Sequence, residues 1–148
     1  MGKFDLNSLD TVKGSNDGFD VNLYNPATNE DTGIIITVLG KDSDCFQQIT
    51  KKQNKKRMDM MSKNGFRSGK ISSPSQEEIE ANGLDLLAEC TTGWKSSDEN
   101  GEYKDSIFLD KKDVVFSVDN AKSLYSRFPW IKEQIDIAIG DRANFIKA

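Results

Sequence analysis

The hydrophobic positions change period along the chain, and the changes mark out its elements. From Gly18 to Tyr24, Phe19, Val21 and Leu23 alternate with Asp20 and Asn22, the period of a half-buried strand. The polar run Asn25-Pro26-Ala27-Thr28-Asn29-Glu30-Asp31 then reads as a turn, with Pro near its start. Thr32 to Leu39 is the return strand, and its Ile34, Ile35, Ile36, Val38 and Leu39 are dense enough to predict cover on both faces. Residues 18–40 therefore form a β-hairpin. The preceding residues 1–17 are polar and read as a mobile or loosely docked arm, in which Phe4, Leu6, Leu9 and Val12 could dock as one short stripe.

After Gly40-Lys41 the period becomes helical. Asp42 or Ser43 caps a helix over residues 42–63, with Cys45, Phe46 and Ile49 as its apolar face. Beyond Thr50 that face gives way to Lys51, Lys52, Gln53, Asn54, Lys55, Lys56 and Arg57, followed by Met58, Met60 and Met61. This half can bury little, so it is predicted to project from the core or to be covered by another subunit. Residues 64–75 have the Gly, Ser and Pro content of a linker. Ser75 with Glu78 fits the capping-box spacing, as does Ser73 with Gln76. A helix follows with Ile79, Gly83, Leu86, Leu87 and Cys90 on one face, ending near Gly93. Residues Ser96 to Asp105 read as a polar loop.

The C-terminal third is the most apolar. Ile107-Phe108-Leu109 and Val114-Val115-Phe116 flank the polar turn Asp110-Lys111-Lys112-Asp113, which predicts a second small hairpin. Ser117 is a good N-cap, and Ala121, Leu124, Tyr125 and Phe128 recur at helical spacing. Pro129 disfavours helix at Phe128 and suits the first position of a new one. A corner is expected there, then a helix to about Phe145 that buries Trp130, Ile131, Ile135, Ala138, Ile139, Ile146 and the stem of Arg142. Trp130 reads as core or corner packing, or as an exposed anchor for a partner. The whole is a single α+β domain: an N-terminal β-hairpin, then a mainly helical bundle over 76–148 with a short second hairpin.

Composition narrows the picture. A chain of 148 residues suffices for one domain with a core. No apolar run approaches a membrane span, and the N-terminus has no apolar leader, so an intracellular protein is expected. Charge is split: residues 41–70 hold nine Lys/Arg and three Asp, a charge of +6, against −10 for the remainder and −4 overall. Such asymmetry lets a chain bind itself head to tail or bind a charged partner.

Chemistry is sparse. With no histidine and two cysteines, the chain lacks the Ser-His-Asp and Cys-His sets and the tetrahedral zinc sets. Cys45 and Cys90 are expected as free thiols. The stretch Gly65 to Lys70 has one residue too few for a phosphate loop and Ile71 where Ser or Thr is needed. Ser96, Asp98, Asn100 and Gly101 mimic half a calcium loop, but Ile107 stands where its closing Glu belongs. No catalytic residue, cofactor or metal is expected. The feature left is a contact surface: Lys51, Lys52, Lys55, Lys56 and Arg57 with Met58 and Met61, and Trp130 apart from them. The basic run could be a solvated face, a surface for an acidic protein or a second copy, or a nucleic-acid contact. No aromatics are interleaved and the chain is acidic, which disfavours the last.

Three stretches resemble a known family. They are Gly18-Phe19-Asp20 through Thr28 with Ile36 to Asp44; Leu87-Ala88-Glu89-Cys90-Thr91-Thr92-Gly93-Trp94; and Phe116 to Ala121 through Leu124-Tyr125-Ser126-Arg127-Phe128-Pro129-Trp130-Ile131-Lys132-Glu133-Gln134, closing with Asp141-Arg142-Ala143-Asn144-Phe145. Together they resemble the small tail assembly chaperones of long-tailed bacteriophages, over about two thirds of the chain but not across the basic middle. The resemblance implies a non-enzymatic protein in the cytoplasm of an infected bacterium. It would bind the tape-measure protein and help recruit tail-tube subunits. It leaves two alternatives: a minor tail or tail-completion protein of the virion, and a nucleic-acid-binding regulator.

Overall fold

The architecture is described from a computed structural model covering residues 3–68 and 75–146, with backbone alone at 60–68. It is α+β. Strands β1 (Phe19–Tyr24) and β2 (Asp31–Val38) form the N-terminal hairpin. Asn25 closes the turn by accepting from the Ala27 and Thr28 N–H groups through its side-chain oxygen. The sheet does not stop there. Strand β3 (Thr91–Ser97) pairs antiparallel with β2, and the short β4 (Tyr103–Lys104) pairs with β3, giving the order β1-β2-β3-β4. Val21, Ile36 and Trp94 stand opposite one another across three strands and are all buried. Asp20 and Thr37, on the other face, meet through a hydroxyl-to-carboxylate hydrogen bond of 2.6 Å.

Two expectations are corrected here. The helix α3 (Gln76–Glu89) ends before Gly93, at the Cys90 cap, and Gly93 lies inside β3. The chain enters the sheet at once because the Leu39 N–H donates to the Cys90 carbonyl at 2.7 Å, and Thr91 Oγ1 donates to the Leu87 carbonyl at 2.8 Å. The supposed polar loop 96–105 holds the end of β3 and all of β4, and only residues 98–102 connect them. Asp98 Oδ1 accepts from the Asn100 and Glu102 N–H groups, so the calcium-like residues form a surface turn.

The second hairpin is β5 (Ser106–Leu109) with β6 (Lys112–Val115). Its turn is only Asp110-Lys111, both at positive φ (52° and 64°), because Leu109 pairs with Lys112. That is the hairpin turn whose twist matches the strands, and it favours Gly at the second position. Trp94 ties this hairpin to the main sheet: its Nε1 donates to the Val114 carbonyl at 3.0 Å, and its ring meets Phe116 edge-on. Lys111→Gly should raise stability by about 0.5–1 kcal/mol by relieving left-handed strain. Urea unfolding of the two proteins measures it.

The C-terminal helices are α4 (Val118–Arg127) and α5 (Pro129–Gly140). Ser117 caps α4, accepting from the Asn120 N–H at 3.0 Å, and Pro129 opens α5 as expected. Ala121, Leu124, Tyr125, Ile131, Ile135, Ala138 and Ile139 are buried in one core with Val21, Leu23 and Ile36 of the sheet. Tyr125 is locked by chemistry as well as packing. Thr91 Oγ1 gives its proton to Leu87, so Tyr125 must donate to it, at 2.7 Å. The helix α5 is shorter than expected. It stops at Gly140, and Asp141 caps a 3-10 turn over Arg142–Phe145 instead.

Arg142 therefore does not bury its stem on α5. It is exposed and forms a two-pronged pair with Asp42, at 2.7 and 3.0 Å. Hydrogen bonds from Arg142, then from Thr11, hold the Asp42 carboxyl down at about 2. A lowered carboxyl pKa stabilises the fold above its unfolded value near 3.8, and that stability is lost as pH falls toward 2. Arg142→Met should cost about 1 kcal/mol at pH 7, discounted for the exposed arginine. The deficit should shrink below pH 3.8 and vanish only as the pH falls through and below about 2, as thermal unfolding across pH would show.

The N-terminal region is also corrected. It carries a 3-10 turn (Leu6–Leu9) and a docked helix α1 (Thr11–Asp17). Phe4, Leu6, Leu9 and Val12 form no buried stripe and remain exposed. The buried positions are Gly14 and Ser15, set against the C-terminal turn. Asn16 also accepts from the Asp44 N–H at 2.8 Å, tying α1 to the next helix.

Candidate interaction surface

The long helix α2 spans Asp44–Ser68. It begins as expected: Ser43 is buried, and its hydroxyl accepts from the Phe46 N–H at 3.2 Å. Cys45, Phe46 and Ile49 pack against the core. The helix runs past Lys63, so residues 64–68 of the expected linker are helical, while 69–74 lie outside the described residues. The following α3 starts at Ser75, whose hydroxyl accepts from the Glu78 N–H at 3.1 Å.

Among the described residues the last hydrogen bond between α2 and α3 comes from Gln53, which donates to the Asn82 carbonyl at 2.9 Å. Beyond it both helices leave the core. Every residue from 54 to 59 and from 75 to 82 is exposed. Ile79, expected on the buried face of α3, is 51% exposed for this reason, and the buried face begins only at Leu87-Ala88. The two stretches make an arm with opposite charge on its two limbs.

One limb carries Lys51, Lys52, Lys55, Lys56 and Arg57, all exposed, with Met58 67% exposed beside them. Among the described residues none of these cations is in an ion pair; the three pairs present are Lys122–Asp85, Arg127–Asp110 and Arg142–Asp42. The other limb carries Glu77, Glu78 and Glu80, also exposed and, among the described residues, in no ion pair. Asp85 does not belong with them, since Lys122 holds it at 2.9 Å. The structure thus brings the basic residues and Met58 together. Met61 is on the same helix, with its side chain outside the described residues.

Trp130 lies elsewhere, on α5, half-buried against the core. Ile137, seven residues on and so on the same side of that helix, is 65% exposed. Sequence reasoning missed it. The signal was there: Ile137 falls off the face set by Ile131, Ile135, Ala138 and Ile139. Between them Gln134 occupies the open edge of β1. Its Nε2 donates to the Tyr24 carbonyl at 2.9 Å, and its Oε1 accepts from the Tyr24 N–H at 3.0 Å. A side-chain amide here does the pairing that another strand would do, and an edge so occupied resists strand addition.

Among the described residues no helix is long and apolar enough to cross a membrane. No family model, no curated protein and no solved structure matches the chain.

Proposed function

We propose that this protein is a non-enzymatic tail assembly chaperone of a long-tailed bacteriophage. It would bind the helical tape-measure protein and help recruit tail-tube subunits in the host cytoplasm. One observation carries the contact reading: from Lys51 to Asp59 the helix α2 is exposed at every position except Gln53, with five cations that no ion pair among the described residues engages. Isolated helical segments of this kind are marginal in water, and packing of a face supplies most helical stability in proteins. A binding partner supplies that face. The phage reading rests on the resemblance of the three stretches named above, which include the cap-to-strand passage Leu87 to Trp94 and the Phe128-Pro129 corner.

A client with acidic and apolar positions along a long helix suits this limb. Charges steer the encounter, and Met58 offers an adaptable apolar contact. Weak self-association uses the same arm, basic limb of one copy to acidic limb of the next.

Co-expression with the tape-measure protein encoded beside it should raise that protein's soluble yield and co-purify the two. Unchanged yield without co-purification overturns the reading. Stoichiometric presence in purified particles would assign the chain to the virion as a minor tail or completion protein instead.

A further inference from the structure

The chain's only two thiols are 45 residues apart in sequence, yet the fold sets them side by side. Cys45 lies in the first turn of α2, and its Sγ donates to the Glu89 carbonyl at 3.4 Å, the residue before Cys90. That contact sets the Cys45 sulfur against the peptide that joins Glu89 to the buried Cys90. Both backbones are fixed. Ser43 is buried and caps α2, and Asn16 holds the Asp44 N–H. Cys90 caps α3, with its N–H on the Leu86 carbonyl and its own carbonyl on the Leu39 N–H. Both cysteines are free thiols.

We propose that Cys45 and Cys90 form a reversible internal disulfide by exchange with a low-molecular-weight disulfide of the glutathione type, fastening the base of the α2–α3 arm. Cys45 is half-buried, whereas Cys90 is fully buried, so Cys45 meets the reagent. As its thiolate it attacks one glutathione sulfur. That S–S bond breaks, and the first glutathione leaves and takes up a proton. Cys90 then loses its proton and attacks the Cys45 sulfur of the mixed disulfide. The second glutathione leaves as a thiol. Two protein thiols are oxidised, and one small disulfide is reduced to two thiols.

Burial, then the neighbouring Cys45, push the Cys90 thiol well above its usual range. Cys90 is therefore inert toward solution reagents. It reacts only with a partner held against it, where proximity raises the effective concentration. The internal bond closes a loop that contains the whole arm.

The test is intact-mass analysis of the reduced full-length protein incubated with glutathione disulfide. The expected product is a monomer lighter by two hydrogens, with no free thiol, reversed by dithiothreitol. Cys90→Ala should stop at a single glutathione adduct on Cys45, and Cys45→Ala should not react while folded. The internal disulfide should raise the melting temperature by about 5–10 °C. A stable mixed disulfide at Cys45 in the unsubstituted protein, a disulfide-linked dimer, or no reaction would each overturn the proposal. None of these outcomes depends on the chaperone reading.

Discussion

Gly14→Ala should destabilise the protein by about 2–4 kcal/mol, although alanine in a helix interior ordinarily stabilises by about 1 kcal/mol relative to glycine. The reason is the seat of α1. A Cβ at position 14 would fall 1.6 Å from the Phe145 carbonyl oxygen and 2.7 Å from its carbon. Both atoms are backbone, so no side-chain rotation relieves the overlap. Either α1 lifts off or the C-terminal 3-10 turn moves, and Phe145 is itself 2% exposed, with its ring against Phe19. Chemical denaturation measures the loss. Ser15→Ala, the next position, should be neutral or slightly stabilising. Its hydroxyl is buried without a hydrogen-bond partner among the described residues, an unsatisfied group whose removal relieves a penalty. Equal effects at the two positions would mean that α1 is not seated on the turn.

That contact also shows where the sequence stops being legible. The hairpin β1–β2, the cap and first turns of α2, the capped start of α3 and the α4–α5 corner all announce themselves through local periodicity, Pro129 and Ser caps. Each is a statement about neighbours a few residues apart. Helix α1 is not legible that way. Its buried residues are Gly14 and Ser15, which carry no apolar signal, and it is held by backbone fit to residues 130 positions away. Strand β3 is hidden for a related reason. In Thr91 to Ser97 the one large apolar residue is Trp94. The stretch is a strand because β2 has a second edge to fill and because Trp94 completes the row begun by Val21 and Ile36. Tertiary pairing outweighs a weak local pattern there.

The candidate surface divides the same way. That the apolar stripe of α2 runs out near Thr50 is written in the sequence, and the structure leaves the basic residues exposed beyond it. That Ile79 joins them outside the core, that Asp85 is taken by Lys122, and that the Cys45 sulfur lies against the Glu89 carbonyl beside Cys90 are facts of how α2 and α3 cross. Spacing along one chain carries no information on the angle at which two helices leave a sheet.

Replacing Lys51, Lys52, Lys55, Lys56 and Arg57 together by Glu should abolish self-association. In the unsubstituted protein the average mass in sedimentation should rise with concentration at low salt and fall toward the monomer at high salt. Exposed charges separated by more than a Debye length, about 10 Å at 0.1 M, are largely screened. The contact joins two different patches, the basic limb of one copy and Glu77, Glu78 and Glu80 of the next. Repeated, such a heterologous contact builds rings or open filaments rather than two-fold dimers. Each exposed pair contributes about 0.2–1 kcal/mol, so the assembly is weak and depends on several at once. Reversing one limb turns every attraction into repulsion, and the association constant should fall at least about tenfold. Changing Glu77, Glu78 and Glu80 to Lys in a second protein supplies the decisive arm. Each reversed protein should fail to assemble alone, while both limb-to-limb contacts in their mixture join opposite charges: reversed limb to reversed limb attracts, and unreversed to unreversed attracts. The mixture should therefore regain salt-sensitive association. A monomer at every salt and concentration, or a reversed protein that assembles as well as the original, would remove the arm from the interface.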